Sequence, residues 1–113
     1  MYVEQNDNVR IIHVRDDLDV ASSPHLASAL TSAEEAGEPL TVVSLADCGY
    51  CDSSALTVLA RAKGRRQGAL AIVVPPENRQ VRRIFEITGL LQELAVQDDL
   101  AGAFRMHNMP EVR

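Results

Sequence analysis

One segment near the middle of the chain reads Leu40-Thr41-Val42-Val43-Ser44-Leu45, continues through a short loop at 46–51, and then reads Asp52-Ser53-Ser54-Ala55-Leu56. Its first part is a nearly continuous apolar run, which is typical of a strand covered on both faces of a sheet. Its last part places a capping residue before a helical pattern that extends to Lys63. The segment therefore predicts a central strand, a loop and a helix.

The same alternation of strand and helix extends toward the N-terminus. The β-branched residues at 9–15 predict a strand that forms a hairpin with 2–5. A helix should then begin at Ser22 or Ser23, with Pro24 at its first position, and end at Gly37. This part of the chain is predicted to contribute two strands and one helix.

Toward the C-terminus the pattern predicts two further strands, at 69–74 and 94–97, and two further helices. Between these strands lies a helix that Gly89 closes, with an inner face formed by Val81, Ile84, Phe85 and Thr88. The last helix should begin at Asp98 or Asp99 and include Leu100, Ala103 and Phe104.

The predicted order is β-β-α-β-α-β-α-β-α, which favours an α/β fold with a mixed, largely parallel sheet of about four to five strands and helices packed over it. The 113 residues are enough for a single domain, 1–113, but not for two. Its ordered core is predicted at 2–105, and 106–113 are predicted to form a frayed tail.

Charge and composition exclude several kinds of partner. The chain has 11 Lys and Arg against 16 Asp and Glu, so its formal net charge of −5 has the wrong sign for binding nucleic acid. No apolar run approaches the roughly 20 residues that span a membrane, and the first residues lack the basic and apolar regions of a secretion signal. We therefore expect a cytoplasmic protein without a membrane segment.

Ser53 is the strongest candidate for a functional residue. Right-handed crossovers place all the strand-to-helix turns of a parallel sheet at one edge, where binding sites normally lie. The common explanation of a serine at this position is a helix cap. A phosphate on Ser53 would instead be stabilised by the N–H groups and the dipole of the helix N-terminus. Both interpretations are compatible with the sequence alone.

Three motifs occur in order along the chain: Arg15-Asp16-Asp17-Leu18-Asp19 ahead of Ala21-Ser22-Ser23-Pro24, then Tyr50-Cys51-Asp52-Ser53-Ser54-Ala55-Leu56, and then Phe85-Glu86-Ile87-Thr88-Gly89-Leu90. They resemble, in turn, the Gly-Glu-Leu-Asp turn, the aromatic-x-Asp-Ser-Ser-Gly-Leu signature and the Phe-x-x-Thr-Gly-Leu helix of the STAS-domain anti-sigma-factor antagonists. Ala55 and Asp16 stand where that family has glycine. The resemblance covers nearly the whole chain and implies a STAS-type domain.

The resemblance also implies a function, which is that of an anti-sigma-factor antagonist in a partner-switching or stress response. Such a protein, when unphosphorylated, binds an anti-sigma factor that is also a serine kinase and thereby releases a sigma factor for transcription. Phosphorylation, here of Ser53, ends the binding, and a metal-dependent serine phosphatase restores it. The residues that would contact the partner are Asp19, Asp52, Ser53, Ser54 and Leu56. No catalytic residue, cofactor or metal is implied.

Two alternatives remain open from the sequence. Cys48-Gly49-Tyr50-Cys51 is similar to the C-x-x-C motif of a dithiol oxidoreductase, although Asp52, Ser53 and Ser54 separate it from the helix N-terminus where such a motif normally lies. Alternatively, the chain is a STAS module of a larger signalling or transporter-associated complex. The sequence does not indicate an oligomeric state.

Overall fold

In the computed structural model, which describes residues 1–6, 8–66 and 69–108, four strands form one mixed sheet. They are β1 (Tyr2–Asn6), β2 (Val9–His13), β3 (Leu40–Ser44) and β4 (Leu70–Val73), and they lie side by side in that order. β1 is antiparallel to β2, whereas β2, β3 and β4 are mutually parallel. The predicted mixed, largely parallel sheet is confirmed, as is the inner position of β3.

Within the described residues the chain forms five helices. They are α1 (Ser23–Ala36), α2 (Ser53–Arg66), α3 (Arg79–Ile87), α4 (Leu90–Glu93) and α5 (Leu100–Asn108). The predicted limits of α1 are confirmed, because Pro24 lies in its first turn and Gly37 follows it in the left-handed conformation, with φ of 70°.

The core consists of two layers, one on each face of the sheet. On one face, Ile12, Val43 and Ile72 pack against helices α1, α2 and α3. On the other face a smaller cluster that includes Val42 and Ala71 is covered by α5. The larger layer fixes the position of α2, whose N-terminus carries Ser53.

The predicted strand at 94–97 is wrong, because a helical turn takes its place. The N–H of Val96 donates to the carbonyl of Leu91, and the N–H of Ala95 donates to that of Gln92. Ala95 has a φ of 51°, so these residues form a Schellman motif that ends α4. Strand-like pairing occurs at one position of this segment, where Gln97 forms an isolated parallel bridge with Val73 of β4.

Two details at the ends of helices also differ from the predictions. Thr88 is exposed rather than on the inner face of α3, and its hydroxyl donates to the carbonyls of Ile84 and Phe85. α5 continues through Met106 to Asn108, so the predicted frayed tail does not begin at Met106. The remainder of that tail, 109–113, lies outside the described residues.

Candidate functional site

Two loops meet at the carboxyl ends of the parallel strands, one between β2 and α1 (14–22) and one between β3 and α2 (45–52). The N–H of Leu18 donates to the carbonyl of Tyr50 at 2.8 Å, and the N–H of Asp52 donates back to the carbonyl of Leu18 at 3.0 Å. This short ladder joins the two loops into one surface, and α2 begins at its end.

Asn78, which precedes α3, holds the second loop from the opposite side. Its side-chain N–H₂ donates to the carbonyls of Leu45 and Cys48, both at 2.8 Å, while its side-chain oxygen accepts from the N–H of Val81. The loop before α2 is therefore held through its backbone by neighbours on both sides. Such pairing gives the N-terminus of α2 a fixed position.

Of the two residues that the sequence offers as the cap of α2, Asp52 and Ser53, the structure selects Asp52. One oxygen of its carboxylate accepts hydrogen bonds from the N–H of Ser54 at 2.9 Å, from the N–H of Ala55 at 3.1 Å and from the hydroxyl of Ser54 at 2.5 Å. The Ser54 hydroxyl makes the largest contribution to lowering the pKa of Asp52, and the N–H groups of Ala55, Ser54 and Val20 lower it further. Asp52 is therefore ionised at neutral pH.

The two adjacent serines have different surroundings. The hydroxyl of Ser54 is held by Asp52 and lies 2.9 Å from the hydroxyl of Ser23, which itself donates to the carbonyl of Asp19. Ser53 is exposed, and its hydroxyl makes no hydrogen bond with any residue that the structure describes. Ser53 is therefore accessible for modification, whereas Ser54 joins α1 to α2.

The predicted contacts of a phosphate with the helix N-terminus need a correction. The carboxylate of Asp52 already occupies the N–H groups of Ser54 and Ala55. Of the N–H groups at 53–55, that of Ser53 alone has no hydrogen-bond partner among the described residues. A negative group on Ser53 would therefore lie beside an ionised carboxylate rather than in an empty anion site.

The two departures from the family glycines leave the surroundings of Ser53 intact. Ala55 is fully buried in the first turn of α2, so its methyl group points into the core and not toward the surface. Asp16 is exposed, and neither residue has a positive φ. Neither position therefore uses the conformational freedom that only glycine provides.

Asp19 shapes its own loop. Its carboxylate accepts from the N–H groups of Ala21 and Ser22, both at 3.0 Å, and from the hydroxyl of Ser22 at 3.1 Å. Ser22 stands at the N-cap position of α1, but its side chain makes no capping hydrogen bond. Asp19 therefore stabilises the turn that leads into α1.

Leu56 does not present a contact surface. Its side chain is 8% exposed and belongs to the main core. This burial argues against the predicted role of Leu56 in contacting a partner, because a side chain with so little exposed area buries almost nothing further on binding. Leu56 instead packs α2 against the main core.

The two cysteines are free and buried, with 2% of Cys48 and 1% of Cys51 exposed. Burial raises the pKa of the Cys48 thiol, and it raises the pKa of Cys51 to about 12. A dithiol oxidoreductase requires an accessible thiolate with a lowered pKa. The structure therefore argues against the oxidoreductase alternative, and both cysteines pack as small core residues.

Comparison with protein families places this architecture. A family model described as the STAS domain matches residues 1–103. The chain belongs to the STAS domain family. A comparison with curated proteins gave no significant match.

Solved structures share the fold of this STAS domain. An anti-sigma factor antagonist from Mycobacterium paratuberculosis is 23% identical, with a TM-score of 0.82 over 92% of this chain and 89% of that one. A candidate anti-sigma factor antagonist from Thermotoga maritima is 18% identical, with a TM-score of 0.77 over 92% and 91%. A sulfate transporter family protein from Wolinella succinogenes is 12% identical, with a TM-score of 0.71 over 96% and 91%.

The STAS domain exposes two large side chains on the two joined loops that precede Ser53, and the sequence predicted neither as a contact residue. Val20, in the loop before α1, is 76% exposed, and Tyr50, in the loop before α2, is 49% exposed. The backbones of these loops are bonded to each other and to Asp52. In the sequence, Val20 is an isolated apolar residue in a polar loop, and this pattern could have indicated it. The exposure of its side chain, however, depends on how the two loops meet.

Other kinds of site find no support in the part of the STAS domain that the structure describes. Those residues contain no group of three or more His, Cys, Asp or Glu side chains that could hold a metal ion. No helix over 1–6, 8–66 or 69–108 is long and apolar enough to cross a membrane.

Proposed function

We propose that this STAS domain is an anti-sigma-factor antagonist that binds a serine-kinase anti-sigma factor while unphosphorylated and is switched off by phosphorylation of Ser53. The observation that carries the proposal is the contrast between the two serines. Ser53 is exposed with an unbonded hydroxyl among the described residues, whereas the Ser54 hydroxyl is held by Asp52 and Ser23. The fold shared with anti-sigma factor antagonists supports this proposal.

The partner would bind across the two joined loops. Exposed Val20 and Tyr50 provide apolar area on these loops, and Ser53 is a small polar residue at the start of α2, directly after the second loop. Interfaces commonly take most of their binding energy from a few such apolar or aromatic side chains with a polar rim. Asp19 and Asp52 would belong to this polar rim, where their carboxylates already accept hydrogen bonds from backbone N–H groups of the loops and of α2.

The negative charge of a phosphate on Ser53 would weaken the binding of the partner. Phosphorylation adds roughly −1.5 to −2 charge at neutral pH. On Ser53 this charge would lie beside Asp52, whose low pKa keeps it ionised and whose carboxylate already holds the nearest N–H groups. The phosphate therefore stays largely uncompensated, and it both blocks the contact surface and repels a partner fitted to neutral Ser53.

The switch does not require refolding. The hydrogen bonds that position α2 involve Asp52, Ser54 and Leu18, and within the described residues none involves the hydroxyl of Ser53. A serine phosphatase that removes the phosphate would therefore restore the original surface directly. The predicted cytoplasmic location accompanies this function.

Phosphate mapping tests the proposal. The wild-type chain is incubated with ATP and each purified kinase-type anti-sigma factor from the same organism, and the product is analysed by mass spectrometry. We expect one phosphate on Ser53, none on Ser53→Ala, and one on Ser28→Ala, which removes a serine of α1 away from the two loops. Absence of phosphate from the wild type with every kinase, or its presence on a residue other than Ser53, would contradict the proposal.

The alternative of a STAS module in a larger complex is favoured by one observation, the fold shared with a sulfate transporter family protein. That similarity shows the fold alone. A module of this kind has no need of a kinase substrate at Ser53, so the same mapping experiment separates the two functions.

A further inference from the structure

The two edges of the sheet differ in how their backbone N–H and C=O groups are paired. Beside β4, the N–H of Gln97 donates to the carbonyl of Ile72 at 2.8 Å, and the N–H of Val74 donates to the carbonyl of Gln97 at 2.9 Å. At the other edge all five residues of β1 are exposed, and β2 is its one paired strand within the described residues. An edge strand directs unpaired N–H and C=O groups outward. At Tyr2, Val3 and Glu4, whose backbones have no partner outside β2 among the described residues, β1 is therefore open to a further strand.

A groove lies between the start of β1 and the loop 14–22, on the face of the sheet that α1 covers. Its volume is about 430 Å³, and its apolar lining includes Met1, Val3, Val14 and Leu18. Val3 is 51% exposed although its neighbour on β2, Ile12, is fully buried. α1 thus covers β2 and leaves Val3 uncovered.

The opposite face of the hairpin carries charges. The rings of Tyr2 and His13 stack with centroids 4.4 Å apart, and the Arg15 guanidinium lies 5.2 Å from the Tyr2 centroid. Arg15 has no ion-pair partner among the residues that the structure describes. Glu4 contacts His13 at 2.8 Å and remains half exposed. This face therefore offers one acidic and one basic group close to the open edge.

We propose that β1 pairs antiparallel with β1 of a second copy of this chain, with Val3 opposite Val3 of that copy. In an antiparallel pair, the side chains of opposed residues lie on the same face of the sheet. A two-fold axis between the two β1 strands must therefore pass between one residue and the same residue of the second copy. An axis at Glu4 would oppose two carboxylates. An axis at Val3 instead places Glu4 of the second copy opposite Tyr2, within reach of Arg15.

This register gives Val3, Glu4 and Arg15 each a partner in the second copy. The two Val3 side chains meet at the edge and cover each other's exposed apolar surface, whereas the polar residues that also line each groove, Asp16, Asp17, Ser22 and His25, stay outside this contact. On the other face, Arg15 of each copy pairs with Glu4 of the other. The groove includes Leu18 and Ser22 of the first loop but not Val20, Tyr50 or Ser53, so the inference does not rest on the proposed function.

Charge exchange tests the pairing. For so small an interface the dimer should have a dissociation constant on the order of micromolar or weaker, measured by sedimentation from about 10 μM to about 1 mM protein. Glu4→Arg and Arg15→Glu should each weaken it about tenfold, and the double variant should restore it. Ile87→Asp, which charges an exposed apolar residue on α3, is the matched control and should change nothing.

Cross-linking tests the register. Under a mild copper-phenanthroline oxidant, Val3→Cys should form a disulfide between copies, and Asn6→Cys at the end of β1 should not. The native Cys48 and Cys51 are buried and do not compete. A wild-type chain that stays monomeric at the highest concentration, a double variant that is not restored, or equal cross-linking at both positions would overturn the proposal.

Discussion

At the scale of single residues, the site depends on which of two adjacent serines is engaged. The motif contains Ser53 and Ser54 side by side, so the sequence could predict a serine at the start of α2 and a cap at Asp52 or Ser53. The pairing of Ser54 could not be predicted with equal detail, because its second partner, Ser23, lies 31 residues away in sequence. The geometry of two loops determines which hydroxyl remains available.

The buried thiols should make stability depend on alkaline pH. The pKa of Cys51 is raised from 9.0 to about 12 by burial, so the unfolded chain releases this proton first. The stabilising contribution is complete below about pH 9 and is lost as the pH rises toward 12. Between about pH 8 and about pH 10, the free energy of unfolding should fall by about 1 kcal/mol more in the wild type than in Cys51→Ala.

Urea unfolding at both pH values measures this difference. Cys51→Ala is also expected to lower stability at about pH 8, because it leaves a small cavity, so the comparison uses the change with pH and not the absolute value. The same loss of stability in both chains would show that Cys51 ionises in the folded state near its ordinary pKa.

At the scale of elements, strands and helices with strong periodicity were predictable, and short connecting segments were not. The apolar run of β3 and the capped pattern of α2 predicted these elements correctly. The segment 94–97 has the residues of a strand, yet it forms a Schellman motif with Ala95 in the left-handed conformation. A few residues carry too little periodicity to distinguish the two, and the packing of α4 decides between them.

The two joined loops are the element that we expect to contact the anti-sigma factor. Val20→Ala and Tyr50→Ala should each weaken binding about tenfold, because each removes exposed apolar area from the two joined loops. Ile87→Ala, on α3, provides a control of similar exposure, 72% against 76% for Val20, and should leave the affinity unchanged. Isothermal titration calorimetry with the purified anti-sigma factor provides the measurement.

An equal loss of affinity in all three variants would indicate a general effect on the fold, and unchanged affinity in Val20→Ala and Tyr50→Ala would remove the loop surface as the docking site. Thermal unfolding of each variant separates these cases. Both loop side chains are exposed, so we expect melting temperatures close to that of the wild type.

At the scale of the whole molecule, the architecture follows from the alternation of strands and helices, and the charge is compatible with a regulator that acts through another protein. The net charge of −5 opposes binding to nucleic acid, and a role in transcription that operates by sequestering a protein does not require such binding. Part of the acidic excess, Asp16, Asp17, Asp19 and Asp52, lies in or next to the two loops. The sequence predicted Asp19 and Asp52 as contact residues, whereas the exposed Val20 and Tyr50 emerged only from the fold.

The affinity of the anti-sigma factor for the unphosphorylated and the Ser53-phosphorylated chain, measured by calorimetry, tests the proposed switch most directly. We predict binding at least about tenfold weaker for the phosphorylated chain and for Ser53→Asp, because charge is added beside ionised Asp52. Ser32→Asp, with its charge on exposed α1 surface, should bind as the wild type does. Equal affinity of the phosphorylated and unphosphorylated chains would contradict a switch at Ser53.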